Sequence, residues 1–474
     1  MKEKVKSRTY SYTKRFYCFD DNSLIKNKIE ETRGSVKFST IEPKYFYIIH
    51  KAILAKTHNH KEYEKDGFRL RKKANSEIVK QDPNARLNTL GYLFGGNDKA
   101  IKTIIDNLIA WNILEVKLNH QAGVRSTTYK LTAEWENRDI KMKIFSGKKG
   151  SVVYKLNQLW NERLKDPIVK ATQQIYDDHI TLSEEGIRYF ENKYNYPAVS
   201  VIAEALLNGT FDDNKDSLIS SLKSIKLQQK DVVLFLFFIK EMYCLPLRKG
   251  KRLYHSITNL KRQYRKFVLI DGHPIIEVDI TNSQPTFSAA LMLKMHKKTL
   301  SNEPIAEDLL HYARLCREGV FYETIAQQAG VSLTVDNRKK FKEDFYSQVF
   351  YSRVRKSAGE IKEAFIELFP NVHKMIVGMK KVNYKSFAIN MQDLEALLMV
   401  YTVYKDLLDE GYKVLVLHDA ILCGSVEAET RAKEMISECF EGWLGMEISF
   451  KRGLIETTDH LISKNEMSFK ATHE

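Results

Sequence analysis

Two aspartates stand at the ends of apolar runs in the second half of the sequence. Residues 275–279 are rich in β-branched side chains and predict a strand that ends in the carboxylate of Asp279. Residues 414–422 form another run typical of a strand, which a His-Asp pair containing Asp419 interrupts. Carboxylate oxygens on rigid strands suit Mg²⁺, with Mn²⁺ as the alternative ion, and do not suit zinc. The pattern therefore predicts that Asp279 and Asp419 hold two Mg²⁺ ions for nucleotidyl transfer.

Length and charge limit the number of domains and the kind of partner that we expect for this chain. A chain of 474 residues is too long for one compact core, so we expect two or three domains. The net charge is +15, from 75 Lys and Arg against 60 Asp and Glu. Because the cations are spread along the chain, this excess favours nucleic acid over a membrane as the partner. Basic composition that serves only solubility is the alternative interpretation.

The cysteines and the apolar runs indicate the compartment. The cysteines are scattered and lack the CxxC spacing of zinc sites, which predicts reduced thiols and no disulfide framework. The longest apolar run, residues 232–239, is too short for a membrane span. We therefore expect a cytoplasmic protein without a membrane partner. The cysteines are Cys18, Cys244, Cys316, Cys423 and Cys439.

Residues 41–148 have the element order of a winged helix-turn-helix domain, preceded by an irregular arm over residues 1–40. Helical spacing begins after Asn97, and two alternating segments near residues 114–118 and 127–131 then predict a hairpin. In a winged helix the second helix of the helix-turn-helix enters the major groove. Interaction modules with the same order of elements are the alternative.

Three cations of this domain are candidate DNA contacts. Lys99 and Lys102 lie three residues apart, on one side of the candidate recognition helix. Arg125 lies in the candidate wing.

Residues 149–249 are predicted to be mainly helical. Before residue 240 no Asp-x-Glu pair lies on a predicted strand, and the chain has no GxxxxGK[ST] loop, so we expect neither a proofreading exonuclease nor a fused helicase.

Four segments resemble, in order, those of the family A DNA polymerases and of the related phage-type single-subunit RNA polymerases. The segments are residues 252–260, 275–286, 338–351 and 390–396, the last followed by the His-Asp pair at 418–419. The resemblance covers about residues 250–455. It implies a right-hand polymerase palm with an antiparallel sheet and with helical fingers and thumb. Together with the winged helix-turn-helix domain in front, we therefore expect an α+β fold, with the palm and fingers at residues 250–474 and a helical thumb-like region at 149–249.

The resemblance implies a nucleotide site on the helix at residues 338–351. Arg338 and Lys342 match the pair that faces the triphosphate, and a spacing of four residues puts them on one helical face. Tyr346 and Phe350 continue that spacing at positions where the family carries aromatic residues, although Phe350 replaces a tyrosine. Gln284 stands where the DNA polymerases carry a glutamate that closes over the sugar. A solvated basic helix is the alternative interpretation of this segment.

The resemblance also implies contacts with nucleic acid. Arg252 would contact the primer-template, Asn259 would brace its loop, and Arg262 would lie near the duplex backbone. Gln392 would touch the minor groove, and His418 would support the primer end. A solvated basic helix is again the alternative for the residues around 252.

The backbone carbonyl of Ile280 is implied as a further metal ligand beside the two aspartates. Some positions depart from the family pattern: Tyr351 replaces a glycine, and Ala420 replaces the acidic residue or serine usual after the second aspartate. Gln284 matches neither the DNA nor the RNA polymerases. These departures leave open both the placement within the family and the choice of sugar.

The sequence therefore predicts a template-directed DNA polymerase of a phage or mobile element, which binds a DNA primer-template and nucleoside triphosphates. A primase or single-subunit RNA polymerase, with RNA as partner, is the alternative. An alternative of another class is a non-catalytic replication initiator that binds DNA through its winged helix. The presence of both aspartates counts against that alternative.

Overall fold

The structure is a computed structural model that divides into two compact units. The first comprises Met1–Asp177, Thr181–Leu245 and His255–Val268, and the second Asp178–Ile180, Pro246–Tyr254 and Leu269–Glu474. The described residues are 13–19, 21–58, 63–64, 67–70, 90–95, 98–120, 127–222, 226–245, 252–299, 304–352, 359–381 and 383–451. Helices and small antiparallel sheets make up both units, which confirms the α+β class at this level. Among the described residues, no helix is both long and apolar enough to cross a bilayer.

The elements before residue 268 are mainly helical. The helices are Ser23–Thr32, Phe38–His58, Leu90–Phe94, Asp98–Ala110, Ala133–Glu136, Val152–Arg163, Pro167–Asp178, Glu184–Tyr194, Pro197–Leu207, Phe211–Ser221, Val232–Phe238, Ser256–Asn259 and Arg262–Arg265. The strands are Thr13–Phe19, Phe68–Arg69, Leu114–Leu118, Thr128–Leu131, Ile140–Ser146, Ile180–Leu182, Cys244–Leu245 and Tyr254–His255.

The N-terminal segment is more regular than the sequence indicated. The strand Thr13–Phe19 and the helix Ser23–Thr32 lie within residues 1–40, which we had predicted to be irregular. The strand pairs antiparallel with Ile140–Ser146 along its whole length and buries Phe16 and Phe19. Its partner lies more than 100 residues away, so no local spacing could reveal the pairing.

The region predicted as a winged helix contains two successive helices, Leu90–Phe94 and Asp98–Ala110, followed by a hairpin. Leu114–Leu118 pairs antiparallel with Thr128–Leu131, close to the predicted bounds, and Phe68–Arg69 adds a third strand. This order agrees with the prediction, but it does not establish a winged helix. The winged-helix domain and the four-part division of the chain stay predictions.

The elements from residue 268 onward include the three-stranded sheet that carries Asp279. The helices are Ser283–Thr299, Glu307–Glu318, Phe321–Gln328, Val335–Phe345, Glu360–Leu368, Pro370–Lys380, Ser386–Leu398, Lys405–Asp409 and Val426–Cys439, with π-helical turns at Tyr346–Phe350, Met399–Tyr404 and Phe440–Leu444. The strands are Val268–Ile270, His273–Pro274, Ile276–Asp279, Val414–Leu417 and Ala420–Cys423. In the sheet, Ala420–Cys423 lies in the middle and pairs antiparallel with both Ile276–Asp279 and Val414–Leu417.

An aromatic cluster fixes the helix Val335–Phe345 of the second unit. Phe345 is fully buried and meets Phe321 and Phe350 edge to face, at centroid distances of 5.5 and 4.9 Å. At the start of the helix, the Thr334 hydroxyl accepts a hydrogen bond from the Asn337 N–H and caps the first turn. Packing at one end and a cap at the other hold the helix that carries Arg338 and Lys342.

Candidate functional site

The sheet of the second unit brings Asp279 and Asp419 to neighbouring positions. Asp279 is the last residue of its strand and lies directly opposite Ala420. Leu417 also pairs with Ala420, so His418 and Asp419 form a two-residue hairpin loop. Asp419 therefore lies in a turn between two strands, and not within a strand as its apolar surroundings had indicated. The negative charge of Asp419 contributes to raising the pKa of Asp279, after burial, which agrees with this proximity.

Both loops that follow the paired strands contain a residue in the left-handed backbone region. His418 has φ 58° and Asn282 has φ 49°. This region costs a residue other than glycine about 1 kcal/mol or more, and such residues cluster at functional sites. The surrounding packing imposes this conformation, since Asn282 is buried and its C=O accepts a hydrogen bond from Thr286 N–H at 2.9 Å.

The Asp279 carboxylate is only half satisfied. Its Oδ2 pairs with the ammonium of Lys451, whereas Oδ1 is buried without a hydrogen-bond partner among the described residues. Burial, followed by the charge of Asp419, raises the pKa of Asp279 to about 6 although Lys451 opposes the rise. A buried acceptor without a donor is costly, and a cation supplied from outside would relieve that cost.

This donor set fits a hard divalent cation. Magnesium is usually bound through one or two carboxylates, with waters and substrate phosphates as its other ligands. No group of three or more His, Cys, Asp or Glu side chains with the geometry of a metal site occurs in the described part of the chain. An ion bound by the two aspartates would therefore need further ligands, such as backbone carbonyls, waters or a bound molecule.

The Ile280 carbonyl has a suitable direction for its predicted role. Ile280 bridges antiparallel to Phe450, and the flanking hydrogen bonds use the C=O of Asp279 and the N–H of Thr281. Because carbonyls alternate between the two edges of an extended segment, the Ile280 C=O faces the other edge, that of the Ala420 strand. Its role as a ligand stays a prediction.

Arg338, Lys342 and Tyr346 lie on one face of their helix, as their spacing predicted, and that face contacts the helix Phe321–Gln328. Arg338 forms an ion pair with Glu323, and the Lys342 ammonium lies 4.8 Å from the ring centroid of Tyr322. The hydroxyls of Tyr346 and Tyr322 are 2.7 Å apart. The two cations are thus held side by side.

The Lys342 ammonium shares its surroundings with other cations and with the site carboxylates. Burial lowers the pKa of Lys342, and the charges of Arg338 and Lys451 lower it further. Glu323 and Asp279 act in the opposite direction. The cations predicted for the triphosphate therefore share one electrostatic environment with Asp279.

A buried glutamate connects two other predicted residues. Glu395 is 1% exposed, and its Oε2 accepts hydrogen bonds from Arg252 Nη2 at 2.6 Å and from Gln284 Nε2 at 3.1 Å. Its Oε1 has no partner among the described residues. Burial raises the pKa of Glu395 to about 7, because it disfavours the ionised form more than Arg252 favours it. Glu395 therefore fixes the orientation of both Arg252 and the Gln284 amide.

A π-helical turn changes which aromatic residue meets Gln284. The Tyr351 N–H donates to the Tyr346 C=O at 2.8 Å, which is an i→i−5 bond and adds one residue to the turn. The Tyr351 ring consequently stacks on Tyr346, and its hydroxyl donates to Gln284 Oε1 at 3.3 Å. Phe350, which the resemblance to the polymerases placed in the nucleotide site, is fully buried against Phe387. The geometry places Tyr351, and not Phe350, against Gln284.

Lys380 holds the end of this π-helical turn. Its Nζ donates to the C=O of Val349 at 2.6 Å and to the C=O of Ser352 at 3.2 Å. The side chain is 5% exposed, and burial lowers its pKa to about 8. Lys380 thus satisfies carbonyls on both sides of Tyr351 and limits the movement of that residue.

The remaining predicted contacts are dispersed. Asn259 Nδ2 donates to the His255 C=O at 3.3 Å, four residues earlier in the same part of the first unit. Arg262 is exposed on the short helix Arg262–Arg265, Gln392 is half-buried, and His418 meets the ring of Tyr254 edge to face at 5.8 Å. Their roles toward nucleic acid stay predictions.

In the N-terminal region, Lys99 and Lys102 have exposed side chains on the helix Asp98–Ala110. The third predicted cation, Arg125, lies outside the described residues. Contact with DNA at these positions stays a prediction.

Sequence reasoning missed two charged residues of the site. Lys451 reaches Asp279 only through a pairing between distant segments, so no spacing pointed to it. Glu395 had a weak signal, since it is an ionisable residue on the apolar face of a predicted helix and lies three positions after Gln392.

Comparison with known proteins leaves the family unassigned. No protein-family model matches the chain, and no curated protein matches it by sequence. One similar solved structure is the polymerase domain of Pol1 from M. smegmatis in complex with DNA primer-template and dNTP. It is 11% identical, with a TM-score of 0.38, over 63% of this chain and 72% of that chain. A similarity of this degree does not establish shared chemistry.

Proposed function

We propose that this protein is a template-directed DNA polymerase, a nucleotidyltransferase that extends a primer by a two-metal mechanism. The observation that carries the proposal is the pair of carboxylates at the edge of the sheet, Asp279 with a buried unpartnered oxygen and Asp419 in the adjacent hairpin loop. Divalent cations bound there would lower the pKa of the primer 3′-hydroxyl and stabilise the pyrophosphate that leaves.

The side chains on the helix Val335–Phe345 would neutralise the nucleotide. Arg338 would exchange its carboxylate partner, Glu323, for phosphate oxygens, with which a guanidinium forms similar paired hydrogen bonds. Lys342 is held beside it over the Tyr322 ring and adds a positive charge where negative charge develops in the transition state. Since both cations have internal partners already, they are positioned before the nucleotide arrives.

The surroundings of Gln284 support selection of deoxynucleotides. A free amide would donate a hydrogen bond to a 2′-hydroxyl and favour ribose, whereas a fixed amide excludes the hydroxyl by its volume. Gln284 donates through Nε2 to Glu395 and accepts through Oε1 from Tyr351. Held in this orientation, the amide would exclude a 2′-hydroxyl by its volume.

We propose further that the N-terminal region binds duplex DNA through a winged helix, with Lys99, Lys102 and Arg125 as phosphate contacts. The exposure of the two lysines on one helix and the hairpin that follows that helix support this role. Such a domain would recruit the polymerase to its template. A phage or mobile element is the setting that we propose for this combination.

Primer extension tests the proposed activity. Wild-type protein would be supplied with dNTPs or rNTPs on primed DNA and primed RNA templates, with the Asp279→Asn variant as the matched inactive control. We expect extension with dNTPs on DNA that depends on Mg²⁺ or Mn²⁺ and is absent in the variant. Equal extension with rNTPs would replace the proposal by the primase or RNA polymerase alternative. No nucleotide addition with either set would favour the non-catalytic initiator.

A further inference from the structure

A segment near the end of the described chain places a lysine on the candidate metal ligand. Residues 449–451 run antiparallel to the end of the Asp279 strand: Thr281 N–H donates to Ser449 C=O and Lys451 N–H to Asp279 C=O, both at 2.9 Å. The Lys451 ammonium then pairs with Oδ2 of the same aspartate. The backbone and the side chain of Lys451 are therefore both bonded to Asp279.

The ammonium stands where a divalent cation would bind. Of the two carboxylate oxygens, Oδ1 has no partner among the described residues and Oδ2 carries Lys451. An ion that engages this carboxylate replaces the attraction that the lysine supplies. The Lys451 side chain is 48% exposed and that of Asp279 is 20% exposed, so the lysine can leave at small cost.

A displaced Lys451 side chain stays close to the nucleotide cations. Its Cα remains fixed by the backbone hydrogen bond to Asp279, while the flexible four-carbon stem allows the ammonium to move. The positive charge of Lys451 already contributes to lowering the pKa of Lys342, after burial and Arg338. Because its backbone is fixed beside Asp279 and its side chain is 48% exposed, an ammonium that leaves the carboxylate can reach an anion bound at that aspartate.

We propose that Lys451 is an exchangeable counter-ion, which neutralises Asp279 before a divalent cation binds and then moves to the phosphates of the incoming nucleotide. This role rests on the proposed polymerase function and adds a positioning residue to it. The single ammonium of Lys451 would offset negative charge on the carboxylate first and on the phosphates later.

Mn²⁺ binding to the protein without nucleotide tests whether Lys451 occupies Asp279 before a divalent cation binds. Free Mn²⁺ is measured by electron paramagnetic resonance. Lys451→Met removes the competitor and should bind Mn²⁺ about two- to fivefold more tightly, the range of a partly exposed ion pair. Lys451→Arg keeps the charge and should bind like the wild type. Lys405→Met is the matched control, since Lys405 is 50% exposed and pairs with Asp409. Unchanged or weaker Mn²⁺ binding in Lys451→Met would overturn the proposal.

Binding of a fluorescent dNTP tests the second half. Lys451→Met should lose about two- to fivefold in affinity for the triphosphate and retain its affinity for the corresponding monophosphate. Lys451→Arg keeps the positive charge and should bind the triphosphate more tightly than Lys451→Met does. A lysine with only a structural role would not give this dependence on charge. Equal triphosphate affinity in Lys451→Met and wild type would overturn the transfer to the phosphates.

Primer extension by the same proteins separates this inference from the proposed function. If the wild type extends primers and Lys451→Met binds Mn²⁺ no more tightly, the counter-ion role is overturned and the polymerase function stands. If no extension occurs but Lys451→Met binds Mn²⁺ more tightly, the counter-ion role stands and the polymerase function is overturned. Equal melting temperatures for all variants would confirm that the exposed position tolerates substitution.

Discussion

Two aspartates, the buried Asp231 of the first unit and the partly exposed Asp279 of the second, differ in how completely their oxygens are bonded. Asp231 is 0% exposed, and its Oδ1 accepts from the Tyr264 hydroxyl at 2.8 Å. Its Oδ2 accepts from the Tyr194 hydroxyl at 2.7 Å and pairs with Lys193 at 2.8 Å. Asp279 has one oxygen on an exposed lysine and the other without a partner among the described residues.

By this difference, we expect Asp231 to stabilise the fold and Asp279 to bind a ligand. A buried charge that is fully bonded stabilises its neighbours, and removing it leaves their donors unsatisfied. A buried oxygen without a donor destabilises the fold until a cation or a donor arrives. The unpartnered oxygen of Asp279, rather than the depth of its burial, therefore supports its proposed role as a metal ligand.

The largest expected effect is on catalysis. Asp279→Asn or Asp419→Asn should lower nucleotide addition by about three orders of magnitude, because each removes a charge that the metal ions require. The free energy of unfolding should change by only about 1 kcal/mol in Asp279→Asn, since the lost ion pair is partly exposed. Primer extension and thermal melting would be measured on the same preparations. Full activity in either variant would remove the two-metal assignment.

Asp231→Ala should give the opposite result. Loss of the buried carboxylate leaves Tyr194, Tyr264 and Lys193 without their shared acceptor and should cost about 3 kcal/mol of stability. Denaturant unfolding measures this loss, and the Mn²⁺ affinity of the folded fraction should not change. Asp212→Ala, at an exposed ion pair with Lys240, is the control and should be nearly neutral. A stable Asp231→Ala variant would contradict the claim that Asp231 stabilises the fold.

Glu395 lies between these two cases, because it has one bonded and one unbonded oxygen. Its effect can be measured through the pH dependence of stability. Its folded-state pKa of about 7 lies above the ordinary value of 4.5, so between these values the native state binds more protons than the unfolded state. Stability from the protonated form is therefore present below pH 4.5 and is lost as the pH rises through 7. The loss is on the order of 3 kcal/mol.

The Glu395→Gln variant, with a permanently neutral amide, should lack this contribution to the pH dependence. Melting of the wild type and of Glu395→Gln at pH 5 and pH 8 would reveal the difference. Parallel melting curves at both pH values would show that Arg252 keeps Glu395 ionised throughout.

Sugar selection tests the fixed amide. Gln284→Ala should raise incorporation of ribonucleotides relative to deoxynucleotides by about tenfold, because it removes the volume beside the 2′ position. Tyr351→Phe should give a smaller change in the same direction, since it releases one of the two bonds that hold the amide. Phe350 is buried, so Phe350→Leu should leave the selectivity unchanged. An effect at Phe350 that exceeds the effect at Tyr351 would contradict the register of the π-helical turn.

The smallest expected effect concerns the N-terminal region, whose exposed cations contrast with the buried charges above. Replacing Lys99, Lys102 and Arg125 by Ala should weaken duplex binding and reduce the slope of log K against log salt by about 2–3, because each phosphate contact releases about one counterion. Fluorescence anisotropy over a salt series measures the slope. An unchanged slope would mean that these residues contact something other than DNA.

Local patterns in the sequence predicted the elements of the site better than its contacts. The strand that ends at Asp279 follows from a run of β-branched residues, and the common face of Arg338, Lys342 and Tyr346 follows from a spacing of four; both are properties of neighbouring residues. The hairpin near residues 114–131 followed from alternation in the same way.

Contacts set by distant segments or by irregular turns were beyond these patterns. Lys451 meets Asp279 through a bridge between segments about 170 residues apart, and Thr13–Phe19 pairs with a strand that is similarly remote. The π-helical turn shifts the register by one residue after Tyr346, so a regular spacing assigned Phe350 where the structure places Tyr351. The two-residue loop at Asp419 was concealed by the apolar residues on both sides.

The short connection at His418 and Asp419 determines where the chain can change its length. An added residue between Leu417 and Ala420 would move Asp419 away from Asp279, or slip a strand and turn its side chains to the opposite faces. The other end of the strand Val414–Leu417 follows a turn at Gly411, where a Cβ would meet nothing within 4 Å. Insertions and deletions among natural variants should therefore accumulate around Gly411 and be excluded from the loop that carries Asp419.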